Sequence, residues 1–151
     1  MSDYSEAEVA LFSPVQVRTL RAAVDRIIPG DEFPSGWAAG VGHYLYRQLA
    51  GDLAAYLSTY RDGLDALDAE AWDANSTSFA ELIGEQQDLL LHRADFASEI
   101  LSNPGMLQRF FRLLVAHTAE GYYSDPSNGG NLDRAAWKMI GFKADDWAEI
   151  S

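Results

Sequence analysis

The chain has 151 residues, 48% of them hydrophobic, no cysteine and a formal charge of −12. That length suits one domain with a sizeable core and is cramped for two. Without cysteine the chain itself holds no disulfide, thiolate zinc site, covalently attached haem or cysteine-ligated iron–sulfur cluster. With 23 acids against 11 bases, it also lacks the clustered Lys and Arg that nucleic acid and anionic membranes require.

The N-terminus, Met1-Ser2-Asp3-Tyr4-Ser5-Glu6, is acidic and has neither the basic region nor the apolar stretch of a secretory signal. As written, the sequence is expected in the cytoplasm, with residues 1–12 as a flexible tail to a single domain. No run of 18 apolar residues marks a membrane span.

Ser13-Pro14 reads as an N-cap followed by Pro at the first helical position. Val17, Leu20, Val24, Ile27 and Ile28 then form one helical stripe that Pro29 stops. Val41, Tyr44, Leu45 and Leu49 predict a second helix. A third starts after Gly51-Asp52, with Leu53, Tyr56, Leu57, Tyr60, Leu64, Leu67 and Ala71 on one face, although Gly63 weakens it. Short helical pieces are predicted over Phe79 to Leu82, Glu85 to His92 and about Ala94 to Leu101. Pro104 opens the most apolar helix, carrying Met106, Leu107, Phe110, Phe111, Leu114, Val115 and Thr118, and ending at Gly121. A last helix, capped by Asn131, would hold Ala135, Ala136, Met139 and Ile140. The 22 alanines fit this pattern, and no strand pair is bounded by hairpin turns. The expected fold is all-α, an irregular multi-helix bundle with a Gly/Pro-rich loop near the C-terminus.

The acids concentrate in the middle: residues 61–100 carry ten against two bases, and residues 101–151 carry six against five. Asp62, Asp65, Asp68, Glu70 and Asp73 fall opposite the Leu stripe of the third helix and read as a solvated face. Of the three histidines, His117 stands three before Glu120, so both can share a helix face. That order reverses the Glu-x-x-His of carboxylate di-iron bundles, and no second copy exists. A helix-end histidine bonded to a neighbour is the simpler reading, with a metal or a partner contact as alternatives. Gly129-Gly130-Asn131 precedes a helix, but neither a dinucleotide-binding glycine pattern nor a phosphate-loop lysine is present. No Gly-x-Ser-x-Gly nucleophile occurs.

The segment His117 to Phe142 reads HTAEGYYSDPSNGGNLDRAAWKMIGF. Asp125-Pro126 starts a turn, Gly129 and Gly130 permit backbone shapes closed to other residues, and Trp137 sits in the next helix. Aromatics, glycines and a proline so close together suit either a structural corner or a recognition surface.

This segment resembles the gluconate 2-dehydrogenase subunit 3 family. Glu120, Gly121, Tyr122, Asp125, Pro126, Gly129, Gly130 and Asn131 match its E-G-Y-x-x-D-P-x-x-G-G-N stretch. Trp137 and Ile140-Gly141-Phe142 match the Trp and I-G-F/Y that come after that stretch in the family. Ile27-Ile28-Pro29, Asp31, Pro34 and Ala39-Gly40-Val41 resemble the family's N-terminal block, and Gln86-Gln87 before Leu89-Leu90 its middle. Tyr46 stands where family members commonly have an aspartate, and Pro34-Ser35-Gly36-Trp37 stretches the usual Pro-Gly pair. Many members also begin with a twin-arginine export leader, which is not seen here; export with a partner would make the chain periplasmic.

The resemblance implies a non-catalytic accessory subunit that assists maturation, stability or export of a large FAD-containing dehydrogenase of the glucose–methanol–choline type. A cytochrome subunit often accepts the electrons in such complexes. No cofactor is expected in this chain, and FAD is expected in the partner. His117, Glu120, Tyr122, Tyr123, Asp125, Pro126, Gly129, Gly130, Asn131 and Trp137 are the residues expected to shape or line the partner surface. The competing class is a stand-alone helical ligand- or metal-binding protein or enzyme using His117, Glu120 and Tyr122.

Overall fold

The computed structural model describes residues 11–124, which hold five α-helices and no strand. The all-α expectation is met. Helix α1, Pro14–Ile27, begins as the sequence dictates. The Gln16 N–H donates to Ser13 Oγ at 3.1 Å, while the Ser13 N–H donates to Gln16 Oε1 at 2.9 Å, closing a capping box. Thr19, Leu20, Ala23 and Val24 face inward. The preceding Phe12, expected within the flexible tail, is instead core: it is buried and its ring lies 5.8 Å from that of Tyr46.

Helix α2, Val41–Ala50, comes after a loop that ends at Gly40 with φ 97°, a left-handed conformation that costs most other residues a clash at Cβ. It buries Val41, Tyr44, Leu45, Tyr46 and Leu49. The expected third helix starts later than its periodicity suggests. A single 3₁₀ turn covers Ala54–Tyr56, and α3 runs Leu57–Asn75. The cause is local: the Leu53 N–H donates back to Gln48 O at 2.7 Å, so the chain folds over the end of α2 before α3 begins. Gly63 does not interrupt α3; it makes room for Phe110.

A 3₁₀ turn, Phe79–Glu81, leads into α4, Gly84–Asp95. The separate helix expected over Ala94 to Leu101 is absent. Ala97 takes φ 48°, and the Ser98 N–H donates to Arg93 O at 2.9 Å, so the chain turns off the end of α4 by a left-handed step. Helix α5, Pro104–Tyr123, is the longest. It runs two residues past the expected stop at Gly121, and it packs against all four other helices. Leu107, Phe110, Leu114, His117, Thr118, Gly121 and Tyr122 are its buried residues, a 3.6-residue rhythm that turns one face to the core. No described helix is long and apolar enough to cross a membrane.

Candidate functional site

The last two turns of α5 carry the first residues of the His117–Phe142 segment, and their helical spacing decides where each points. His117 lies one turn beyond Leu114 and so falls on the buried face, 6% exposed. Its Nδ1 is 2.7 Å from Tyr60 Oη, and the two rings stack almost parallel, 5.8 Å between centroids and 7° between planes. Tyr56 closes over the histidine at 5.7 Å, and Phe110 meets Tyr60 edge-on at 5.6 Å. Burial holds the His117 pKa below its ordinary value, opposed by the Glu120 carboxylate. The same environment raises the phenols: Tyr44 is pushed up to about 12 by burial and then by Glu120. Tyr60 goes well above its usual value, again by burial first. Next to His117, the fully buried Thr118 has no hydrogen-bond partner for Oγ1 among the described residues.

Gly121 is required by close approach. A β-carbon there would sit 2.8 Å from Tyr44 Cδ2, so α2 and α5 meet at a point with no space for a methyl group. Tyr122 is 1% exposed, and its hydroxyl donates to Pro34 O at 2.9 Å. This bond ties the end of α5 to the loop between α1 and α2. That loop is fixed from the other side: the Trp37 N–H donates to Asp25 Oδ1 at 2.9 Å, and Gly36 lies flush on Val24. Trp37 sets its ring edge-on to Tyr46 at 6.3 Å. The N-terminal block around Pro34 and the His117–Tyr122 block, 88 residues apart from Pro34 to Tyr122, thus form one structural unit.

Burial separates the expected site residues into two groups. His117 and Tyr122 are buried and make their contacts inside the fold. Glu120 and Tyr123 are half-buried, and Tyr123 sits edge-on to Tyr122 at 5.3 Å. Asp125, Pro126, Gly129, Gly130, Asn131 and Trp137 lie outside the described residues, as does the helix expected after Asn131. His117 and Tyr122 bond to different partners, while the Glu120 carboxylate acts on His117 through its charge. The imidazole engages Tyr60 and the phenol engages Pro34, and no group of three potential ligands for a metal converges among the described residues.

Sequence reasoning missed the partners of His117. By periodicity Tyr56 and Tyr60, four apart ahead of and within α3, belong only to an apolar stripe, yet two phenols one turn apart are a signal for a buried polar contact. Periodicity also places the whole acidic run on a solvated face, and the structure corrects this for two residues. Glu70 is buried and accepts from the Ser102 N–H at 2.8 Å; Asp68 accepts from the Phe79 N–H at 2.8 Å. These two carboxylates cap turns, while Asp62, Asp65 and Asp73 are exposed.

A search of curated proteins and one of solved structures each returned no match. Among protein-family models, one described as gluconate 2-dehydrogenase subunit 3 matches residues 14–143, from the first residue of α1 to beyond the end of α5. Both sequence blocks joined by the Tyr122–Pro34 hydrogen bond fall inside that match, and the chain belongs to the gluconate 2-dehydrogenase subunit 3 family.

Proposed function

We propose that this chain is the non-catalytic small subunit of an FAD-dependent sugar or sugar-acid dehydrogenase, and that it assists maturation, stability or export of the catalytic flavoprotein. Membership in a subunit family of a multi-subunit dehydrogenase implies partner subunits. The observation that carries the accessory reading is how His117 and Tyr122 are used. The Nδ1 of His117 and the hydroxyl of Tyr122 are engaged in internal contacts, with Tyr60 and with Pro34. Such contacts fix the shape of a helix end and its neighbouring loop, which is what a docking subunit needs.

In this reading the partner is a large FAD-containing subunit of the glucose–methanol–choline type, with a cytochrome subunit to take the electrons. FAD resides in the partner, and export together would carry both chains to the periplasm. The test is co-expression of the large subunit of the same organism with and without this chain. Soluble, FAD-loaded, active dehydrogenase should appear only with it; equal yield and activity in both cases would sink the proposal.

A further inference from the structure

The half of α5 nearest its N-terminus presents a second feature that the His117–Tyr122 corner does not explain. Gly105, Gln108, Arg109, Arg112 and Leu113 line a shallow groove of about 440 Å³. Their spacing of three and four puts them on one outward helix face. The groove is open at Gly105, where an added β-carbon would meet nothing within 4 Å. Arg109 is exposed and forms no ion pair among the described residues. The Arg112 side chain is 66% exposed, and its one ion pair among the described residues is with Asp95, at 3.6 Å. In a chain of charge −12, two loosely held guanidinium groups side by side are a local reversal of sign.

The end of α4 is stitched to this face. Gln108 Nε2 donates to Asp95 O at 2.8 Å, and Arg112 reaches the carboxylate of the same residue. The next residue, Phe96, is 67% exposed, and Ile100 in the same turn is 70% exposed. Phe96 rests on the His92 ring at 4.6 Å, and exposed aromatic and aliphatic side chains in a segment joined through Asp95 to an arginine-bearing face match the composition of protein–protein interface centres.

We infer that this face of α5, with the Phe96–Ile100 turn, is where the catalytic subunit of the dehydrogenase docks, through a segment that places carboxylates on Arg109 and Arg112 and an apolar side chain against Phe96 and Ile100. The inference rests on the proposed small-subunit function. Charge decides the occupant. Arginines fit an acidic segment, and the acidic surroundings repel nucleic acid. A free sugar acid suits an enclosed pocket that buries most of it, whereas this groove is open along one helix.

The test uses the whole chain and the isolated, FAD-loaded large subunit of the same organism, with affinity measured by calorimetry. Gly105→Trp fills the groove at a position with space for it. The pair Arg109→Glu and Arg112→Glu reverses the charge, and Phe96→Ser removes an anchor. Each should weaken binding by about tenfold or more while leaving the thermal melt of the isolated chain in place. Salt should weaken the wild-type complex and leave the charge-reversed one little changed. The pair Arg18→Glu and Arg21→Glu, exposed on α1, should bind as wild type.

Groove variants that bind as tightly as wild type overturn the docking face but leave the small-subunit reading standing. A wild-type chain that does not bind the large subunit overturns both. Loss of self-association in light scattering, with unchanged affinity for the flavoprotein, would reassign the face to a second copy and overturn the inference. Competition by millimolar gluconate at the groove would reassign it to a small ligand and overturn the inference as well.

Discussion

Gly63 on α3 and Phe110 on α5 approach so closely that a β-carbon at position 63 would lie 2.1 Å from Phe110 Cγ. The contact explains a glycine in mid-helix, where an alanine would stabilise the isolated helix by about 1 kcal/mol. Phe110 is 1% exposed and wedged edge-on against Tyr60, so its ring has nowhere to swing. Overpacking of this kind costs about 1–3 kcal/mol and outweighs the propensity gain. Gly63→Ala should therefore lower stability by up to about 2 kcal/mol in urea unfolding. An equally stable variant would mean that α3 and α5 separate without loss.

The His117–Tyr60 contact sets an acid limit. Because burial depresses the His117 pKa below its ordinary 6.5, the folded state binds fewer protons than the unfolded one as pH falls past 6.5. Its contribution to stability is present above that pH and declines as pH drops towards the folded value. Urea unfolding at pH 7.5 and 5.5 should show lower stability at 5.5, with a smaller difference in His117→Gln. Tyr60→Phe, which leaves Nδ1 buried without its partner, should cost about 1–3 kcal/mol at pH 7.5.

Three buried phenols set an alkaline limit of opposite sign. Tyr44 and Tyr46 are pushed up to about 12, chiefly by burial, and Tyr60 well above its usual value. The unfolded state then loses protons first, so stability is intact below about pH 10 and is lost as pH rises towards 12. Between those limits, phenolate absorbance from the buried rings should rise together with loss of helical circular dichroism. A rise well before the helix signal falls would show that these rings ionise in place.

Within the acidic run, neighbours should behave unequally. Glu70, 8% exposed, holds the Ser102 N–H and so ties α3 to the turn before α5. Glu70→Ala should cost about 1–3 kcal/mol, as a charged acceptor is removed from a half-buried amide. Asp73→Ala, exposed three residues on, should stay within about 0.5 kcal/mol of wild type. Equal effects in denaturant titrations would return Glu70 to the solvated face.

Local rules accounted for the well-marked boundaries. Ser13-Pro14 and Pro104 start helices where expected, because a cap and a fixed φ act through their immediate neighbours. Where prediction slipped, a contact that apolar periodicity does not encode had intervened. The third helix loses its first turn because Leu53 folds back on Gln48, and α5 runs on past Gly121 because the glycine packs on Tyr44 instead of ending the helix. Of the candidate site, the sequence marked His117, Glu120, Tyr122 and Tyr123 as belonging together. It could not tell which of them would face inward.

Apolar periodicity, proline and glycine punctuation and the two motif blocks are enough to determine an all-α chain and its family, since these signals depend only on residues near one another in sequence. Tertiary structure decides the rest. It brings Pro34 to Tyr122 and Tyr60 to His117, and it withdraws Asp68 and Glu70 from the acidic surface to cap turns. The physical reason is that burial and hydrogen-bond partnership are properties of the space between helices. A helix's own sequence says which face is apolar, but only its neighbours decide which polar group on that face finds a partner.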